Sequence, residues 1–132
     1  MATCHLDAVA VAQWIARRDG VAAGRTSARL RNPTNAPRPW AAAIVARYAN
    51  ARAEGIEGFA VDLGDRVGLL RPIVEQSTCE PCHGPVSKID PHVLAILSEQ
   101  YPVDRATGFR EGDIRGWYWL EMPKVAHPRT TP

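Results

Sequence analysis

Residues 58–70, GFAVDLGDRVGLL, carry the reading that decides the fold. Two short β-prone runs, 58–63 and 66–70, flank Gly64-Asp65, a glycine-first pair of the kind that closes two-residue hairpins. Pro72 has no N–H to give a ladder, so it predicts that the second strand is an edge strand or ends there. Further along, Asp90-Pro91 supplies a cap and a proline suited to the first helical position. Val93, Leu94, Leu97 and Tyr101 then share one face of a helix closed by Pro102. Residues 114–121 alternate as a last strand, with Ile114, Tyr118 and Leu120 on one side and Arg115, Trp117 and Trp119 on the other, so both sides are expected to be at least partly covered. Toward the N-terminus, residues 39–54 read as a helix with Trp40, Ala43, Ile44, Tyr48 and Ala51 on one face and Gly55 as its stop. Residues 21–39 are too rich in Gly, Pro, Asn and Arg for a regular element, and residues 3–18 read as a first helix capped by Thr3. This order of elements predicts an α+β fold, an antiparallel sheet with helices to one side.

Composition narrows the function classes. The chain has 132 residues, of which 45% are apolar and 23% charged, the profile of one globular domain. Its formal charge of +2 comes without a basic run, which removes the electrostatic case for a nucleic-acid partner. No stretch nears the roughly 18 apolar residues of a membrane span, so no transmembrane segment of its own is expected. Residues 1–16 lack the basic start of an export signal, and Asp7 and Gln13 interrupt their apolar run. We expect a single domain over residues 1–122 and a proline-rich, basic tail over 123–132 that is flexible or partner-bound.

The chemistry lies in Cys79-Glu80-Pro81-Cys82-His83, the Cys-x-x-Cys-His pattern of covalent haem attachment. Two thiols at that spacing reach the two vinyl groups of one haem, and the next residue brings an imidazole to the iron. With three cysteines and four histidines in the chain, the pattern would arise by chance roughly 1 time in 500. Other chemistries use similar residues. A thioredoxin-like redox pair wants a helix to follow, but Gly84 and Pro85 come at once. A Cys3His zinc site could add Cys4 to Cys79, Cys82 and His83, although adjacent Cys82 and His83 suit one tetrahedral ion poorly. Structural thiols beside a surface histidine are the plainest alternative.

Further blocks accompany the motif in a set order. They are Gly24-Arg25-Thr26-Ser27 with Leu30-Arg31-Asn32-Pro33 and Asn35, then Arg71-Pro72-Ile73 before the motif and Gly84 after it. Tyr101-Pro102, Asp104-Arg105-Ala106-Thr107-Gly108-Phe109, Gly112-Asp113 and Arg115-Gly116 follow. On these residues the chain resembles, over 3–122, a family of single-haem c-type proteins with a PAS-like fold. The resemblance implies a PAS-like antiparallel sheet with flanking helices and one covalently bound haem c, attached at Cys79 and Cys82 with His83 on the iron. It also implies a cysteine on the N-terminal helix as the sixth iron ligand, matched here by Cys4. Read from the residues alone, a cysteine on an apolar helical stripe is either a small core residue or one facing a cofactor. His5 projects about 100° further round such a helix, so only one of the two can face the iron. Met122 is the other conventional ligand, whereas His92 and His127 read as surface residues. Thiolate and histidine together predict a low reduction potential, methionine and histidine a high one. Arg25, Arg31 and Arg115, with Arg29 and Arg105 behind them, are candidates to hold the haem propionates through forked hydrogen bonds.

Three functions are compatible with such a haem. A monohaem cytochrome would pass electrons to a redox partner protein, alone or as a haem-bearing subunit of a larger membrane-associated complex. A sensor of redox state or of a diatomic gas would signal through a separate protein, since the chain holds no transmitter region. A haem enzyme would need an open distal face with an acid–base group, and none is marked. The first is our expectation, and with it a non-enzymatic protein. Covalent attachment implies a periplasmic or otherwise extracytoplasmic location, with any leader absent from the chain.

Overall fold

The structure, a computed structural model, describes Trp14, Arg17 and residues 20–124. Cys4, His5 and His127 therefore lie outside the described residues, as does most of the expected first helix. Trp14 and Arg17 are helical and exposed.

The hairpin forms where expected, as β2 (Phe59–Asp62) and β3 (Arg66–Val74), paired antiparallel from Phe59↔Leu70 to Asp62↔Val67. Gly64 turns the chain at φ +90°, a region that favours glycine, and its N–H donates to Asp62 Oδ1 at 2.8 Å. The expectation for Pro72 is corrected. β3 is an interior strand of a four-stranded sheet in which β1 (Ala22–Thr26), β4 (Ile114–Pro123), β3 and β2 lie side by side in that order, and it runs two residues past the proline. The reason is local. Leu63 N–H donates to Arg66 O at 3.0 Å, which sets the ladder so that Arg66, Gly68, Leu70 and Pro72 direct their backbone groups toward β2. Since β2 starts at Phe59, opposite Leu70, the N–H that Pro72 lacks falls beyond its end.

The outer strand β1 (Ala22–Thr26) lies in the stretch read as irregular, a second correction. Ala-Ala-Gly-Arg-Thr carries no alternation signal, and what holds it is pairing along β4 (Ile114–Pro123) from Ala22↔Glu121 to Thr26↔Trp117. Gly24 is needed there because a Cβ would lie 2.7 Å from the Trp119 ring. The helix expected over 39–54 shrinks to α1 (Ala42–Arg47). Beyond it the backbone is claimed by the loop before β4. Ile114 N–H donates to Ala51 O at 2.9 Å and Ala53 N–H to Gly112 O at 2.9 Å, bonds a continuing helix could not make.

Ala41 and Val45 pack with Leu70, Ile114 and Trp117 to form the core, and Trp40, Tyr48, Phe59 and Trp119 close round it. The mixed α and β character and the antiparallel sheet agree with the sequence reading. The covering of the two sides is unequal, since Trp117 is buried while its neighbour Tyr118 is 46% exposed. Just past β4, Lys124 has its Nζ 2.7 Å from Asp62 Oδ1 and its N–H on Asp65 O. No helix among the described residues is long and apolar enough to cross a membrane.

Candidate functional site

The motif folds as a single helical turn, α2 (Glu80–His83), with Cys79 as the residue entering it and Pro81 in its opening positions. Cys82 N–H and His83 N–H both donate to Cys79 O, at 3.1 and 3.0 Å, and Gly84 N–H donates to Glu80 O at 2.9 Å. The two cysteines are thus a helical turn apart and both are free thiols, Cys79 half-buried and Cys82 exposed. The C-terminal end of the turn is held in place, because Phe109 N–H donates to His83 O at 3.0 Å and Gly108 N–H to Gly84 O at 2.8 Å. Asp90 then caps α3 (Pro91–Gln100) by accepting from His92 N–H at 2.8 Å, as its sequence predicts, and His92 is exposed. An open cleft of about 370 Å³ separates α2 from the start of α3, with Ser77, Glu80, Pro81, Lys88, Asp90 and Val93 around it.

His83 has one tautomer available. Its Nδ1 lies 2.7 Å from Ala106 O, an acceptor, so Nδ1 carries the proton. Its Nε2 lies 3.1 Å from Nη1 of Arg115, which can only donate, so Nε2 holds the lone pair. Burial pushes the imidazole pKa down to about 4, with Arg115 and Arg31 adding to the fall and the Ala106 carbonyl opposing it. The ring is neutral at physiological pH and presents its lone pair at Nε2, the form that ligates metals.

Arg31, one of the candidate propionate partners, is tied to the protein. Its Nε donates to Asp104 Oδ2 at 2.9 Å, and its Nη2 donates to Cys82 O at 2.6 Å and reaches Ala106 O at 3.4 Å. Asp104 in turn accepts from Ala106 N–H at 2.8 Å. This network joins the motif turn to the loop whose carbonyl orients His83. Arg29 is engaged in a similar way, its Nη1 on Thr107 O at 3.1 Å and its guanidinium 3.5 Å above the Phe109 ring. Arg25 and Arg105 are exposed, and Met122 is half-buried near the end of β4.

Arg115 reaches His83 because of an irregularity in the sheet. Ile73 pairs with Gly116 but Val74 pairs with Ile114, which leaves Arg115 as an extra residue on β4. The expected alternation is corrected here. The bulge brings Ile114 into the core beside Trp117 and sends Arg115 elsewhere. Its Nε lies 2.9 Å from Oε2 of Glu75, a carboxylate with no side-chain exposure. Burial pushes the Glu75 carboxyl up from its ordinary range, against the pull of Arg115.

Cys79, Cys82, His83, Arg31 and Arg115 are therefore brought together, while Arg25 stands on the exposed part of β1. Glu75, Asp104 and the Ala106 carbonyl are the functional groups that sequence reasoning missed. Nothing in a lone glutamate after a strand, or in an alanine, signals such a role. Among the described residues no cluster of three or more His, Cys, Asp or Glu could hold a metal ion by itself.

Comparison with known proteins adds two matches. A family model described as Tll0287-like matches residues 3–123. Among solved structures, the cyanobacterial heme-protein Tll0287 is similar at 31% identity and a TM-score of 0.69, over 86% of this chain and 67% of that one. No curated protein matches.

Proposed function

Since the chain belongs to the Tll0287-like family, and its cyanobacterial relative at 31% identity is a heme protein, we propose that it is a single-haem c-type cytochrome that transfers electrons, alone or within a larger membrane-associated redox complex. The observation that carries this reading is the state of His83, neutral, with Nδ1–H fixed on a carbonyl and its one lone pair on Nε2, directly after two free thiols on one helical turn. That donor set fits a covalently attached haem. Cys79 and Cys82 would hold it, each S–H adding across a vinyl double bond to give a thioether, and His83 would be the proximal ligand. The group supplies a one-electron iron couple when bound.

The remaining work belongs to the protein. Ala106 O orients the imidazole, and the Arg31–Asp104 pair fixes both that carbonyl loop and the backbone of Cys82. Arg25 is a proposed propionate partner, while Arg115 stays between His83 and Glu75. Cys4 is the proposed sixth ligand, which would leave no open iron position and so favours electron transfer over catalysis. We further propose a PAS-like domain in a periplasmic or otherwise extracytoplasmic setting, acting on a partner protein rather than as an enzyme.

The test is a pyridine haemochrome spectrum and an intact mass, both taken on protein produced together with a haem-attachment system. A thioether-type spectrum and one haem retained in denaturant are expected, and a Cys79→Ala/Cys82→Ala variant should lose both. Protein that carries no haem, or loses it on denaturation, overturns the reading.

A further inference from the structure

Arg115 faces two acceptors and is aligned on only one. Its Nη1 lies 3.1 Å from His83 Nε2. Its Nε lies 2.9 Å from Glu75 Oε2, yet that Nε and both Glu75 oxygens are buried without an aligned hydrogen bond. A buried carboxylate left in that state costs free energy that a turn of the guanidinium would recover. The nitrogen Arg115 now holds is the one that matters. His83 has a single lone pair, at Nε2, because Nδ1 is committed to Ala106 O. A lone pair that accepts from a guanidinium is not available to a metal ion.

We propose that Arg115 guards the histidine ligand, holding His83 Nε2 in the haem-free protein and turning its guanidinium onto Glu75 when that nitrogen coordinates iron. The proposal rests on the reading of His83 as an iron ligand. No proton or electron moves in the exchange: one N–H···N hydrogen bond is given up, and N–H···O bonds to the waiting carboxylate replace it. Only the guanidinium has to move. The Arg115 backbone is anchored by Ser27, whose hydroxyl donates to Arg115 O at 2.7 Å. Glu75 is anchored through its N–H on Asp113 O at 2.9 Å and its carbonyl, which accepts from Gly112 N–H at 3.0 Å. The bulge that makes Arg115 an extra residue is what aims it between the two acceptors. The consequence is an order of events. His83 is shielded from stray metals until a ligand strong enough to displace Arg115 is in place, and Glu75 then lowers the cost of the displacement.

The test uses the full chain, haem-free and haem-loaded, with diethylpyrocarbonate as the probe of imidazole nitrogen. Modification of His83 is read by peptide mass against exposed His92 as the internal standard. In the haem-free protein Arg115→Gln should raise the His83 rate about tenfold, the equivalent of one hydrogen bond of ordinary strength, and Arg115→Lys should raise it less. Because Arg115→Gln alone strands a buried carboxylate and so threatens folding, Glu75→Gln/Arg115→Gln is measured beside it and should show the same rise. Glu75→Gln alone leaves the guard and replaces the second acceptor, a carboxylate, with the weaker oxygen of a neutral amide. It should leave the haem-free rate at the wild-type value and, in the haem-loaded protein, produce a high-spin absorption component as His83 is drawn off the iron. That split between the two variants is a signature a merely structural role would not give. Unchanged His83 rates in both Arg115 variants, or a haem-loaded Glu75→Gln spectrum identical to wild type, overturn the guard. Both results leave the cytochrome reading intact where haem remains attached and His83→Ala still alters the iron spectrum. If haem never attaches, the cytochrome reading fails and the guard fails with it.

Discussion

Glu121 and Glu75 are both buried carboxylates that face an arginine, one in β4 and the other just past the end of β3. At Glu121 every contact is aligned. Arg38 donates from Nε at 2.7 Å and from Nη2 at 3.2 Å, and Trp40 Nε1 donates at 2.7 Å. Arg38 in turn lies 5.2 Å from the Trp119 ring centre, and the Trp40 ring lies on Gly68, where a Cβ would come within 2.9 Å of it. At Glu75 the arginine is equally near but turned toward His83. The two carboxyls accordingly move in opposite directions. The Arg38 hydrogen bond holds Glu121 below the ordinary carboxylate range, while burial pushes Glu75 above it. A satisfied network makes framework, and an unsatisfied one beside His83 makes a place that is free to change.

Breaking the framework should have the largest effect. Glu121→Ala leaves Arg38 and the Trp40 N–H without their acceptor and should destabilise the protein by about 2–3 kcal/mol in urea unfolding. A loss below about 0.5 kcal/mol would show that the two carboxylates are equivalent after all. Gly24→Val drives a side chain into the Trp119 ring that covers the same cluster, and the expected loss is about 1–3 kcal/mol by the same measurement. Glu75→Gln sharpens the contrast from the other side. Its carboxylate makes no aligned hydrogen bond, so the change should lie within about 1 kcal/mol of wild type.

The smallest effect is in the acid limb of stability, and its sign differs between the two groups. Glu121 has a depressed folded pKa, so the stability it contributes is present above the unfolded value near 4.5 and is lost as pH falls below that. Glu75 has a raised folded pKa, so its contribution runs the other way, with stability gained as pH falls through the window just above 4.5. In denaturation profiles measured from pH 3 to 7, Glu121→Gln should flatten the fall on the acid side and Glu75→Gln should remove the opposing rise. A common shift of both profiles would contradict the comparison.

The parts of the fold that could be read from the chain are those whose cause is local. Asp90-Pro91 caps a helix with its own side chain, Gly64-Asp65 turns a hairpin by its own dihedral angles, and the aromatic alternation of β4 marks a strand. β1 has no such mark, because Ala-Ala-Gly-Arg-Thr is a strand only where β4 lies beside it and the Trp119 ring needs the space of Gly24. The helix expected over 39–54 ends early for the opposite reason. Its pattern is helical beyond Arg47, but Ala51 and Ala53 are taken by Ile114 and Gly112. In the site, Cys79, Cys82 and His83 are legible because they form a contiguous Cys-x-x-Cys-His pattern, and the arginines because charge is visible. Which arginine would support the motif and which would touch the histidine was not legible.

By itself the amino-acid sequence determined the hairpin, the capped helix, the final strand and the cysteine–histidine motif, since each depends on residues a few positions apart. Only the tertiary structure decided the tautomer of His83 and the partners of Arg115, because both depend on a bulge in β4, a carbonyl 23 residues away and a carboxylate beyond the end of β3. Hydrogen bonds select a donor by position and orientation, and at such separations those are set by how the sheet and its loops pack.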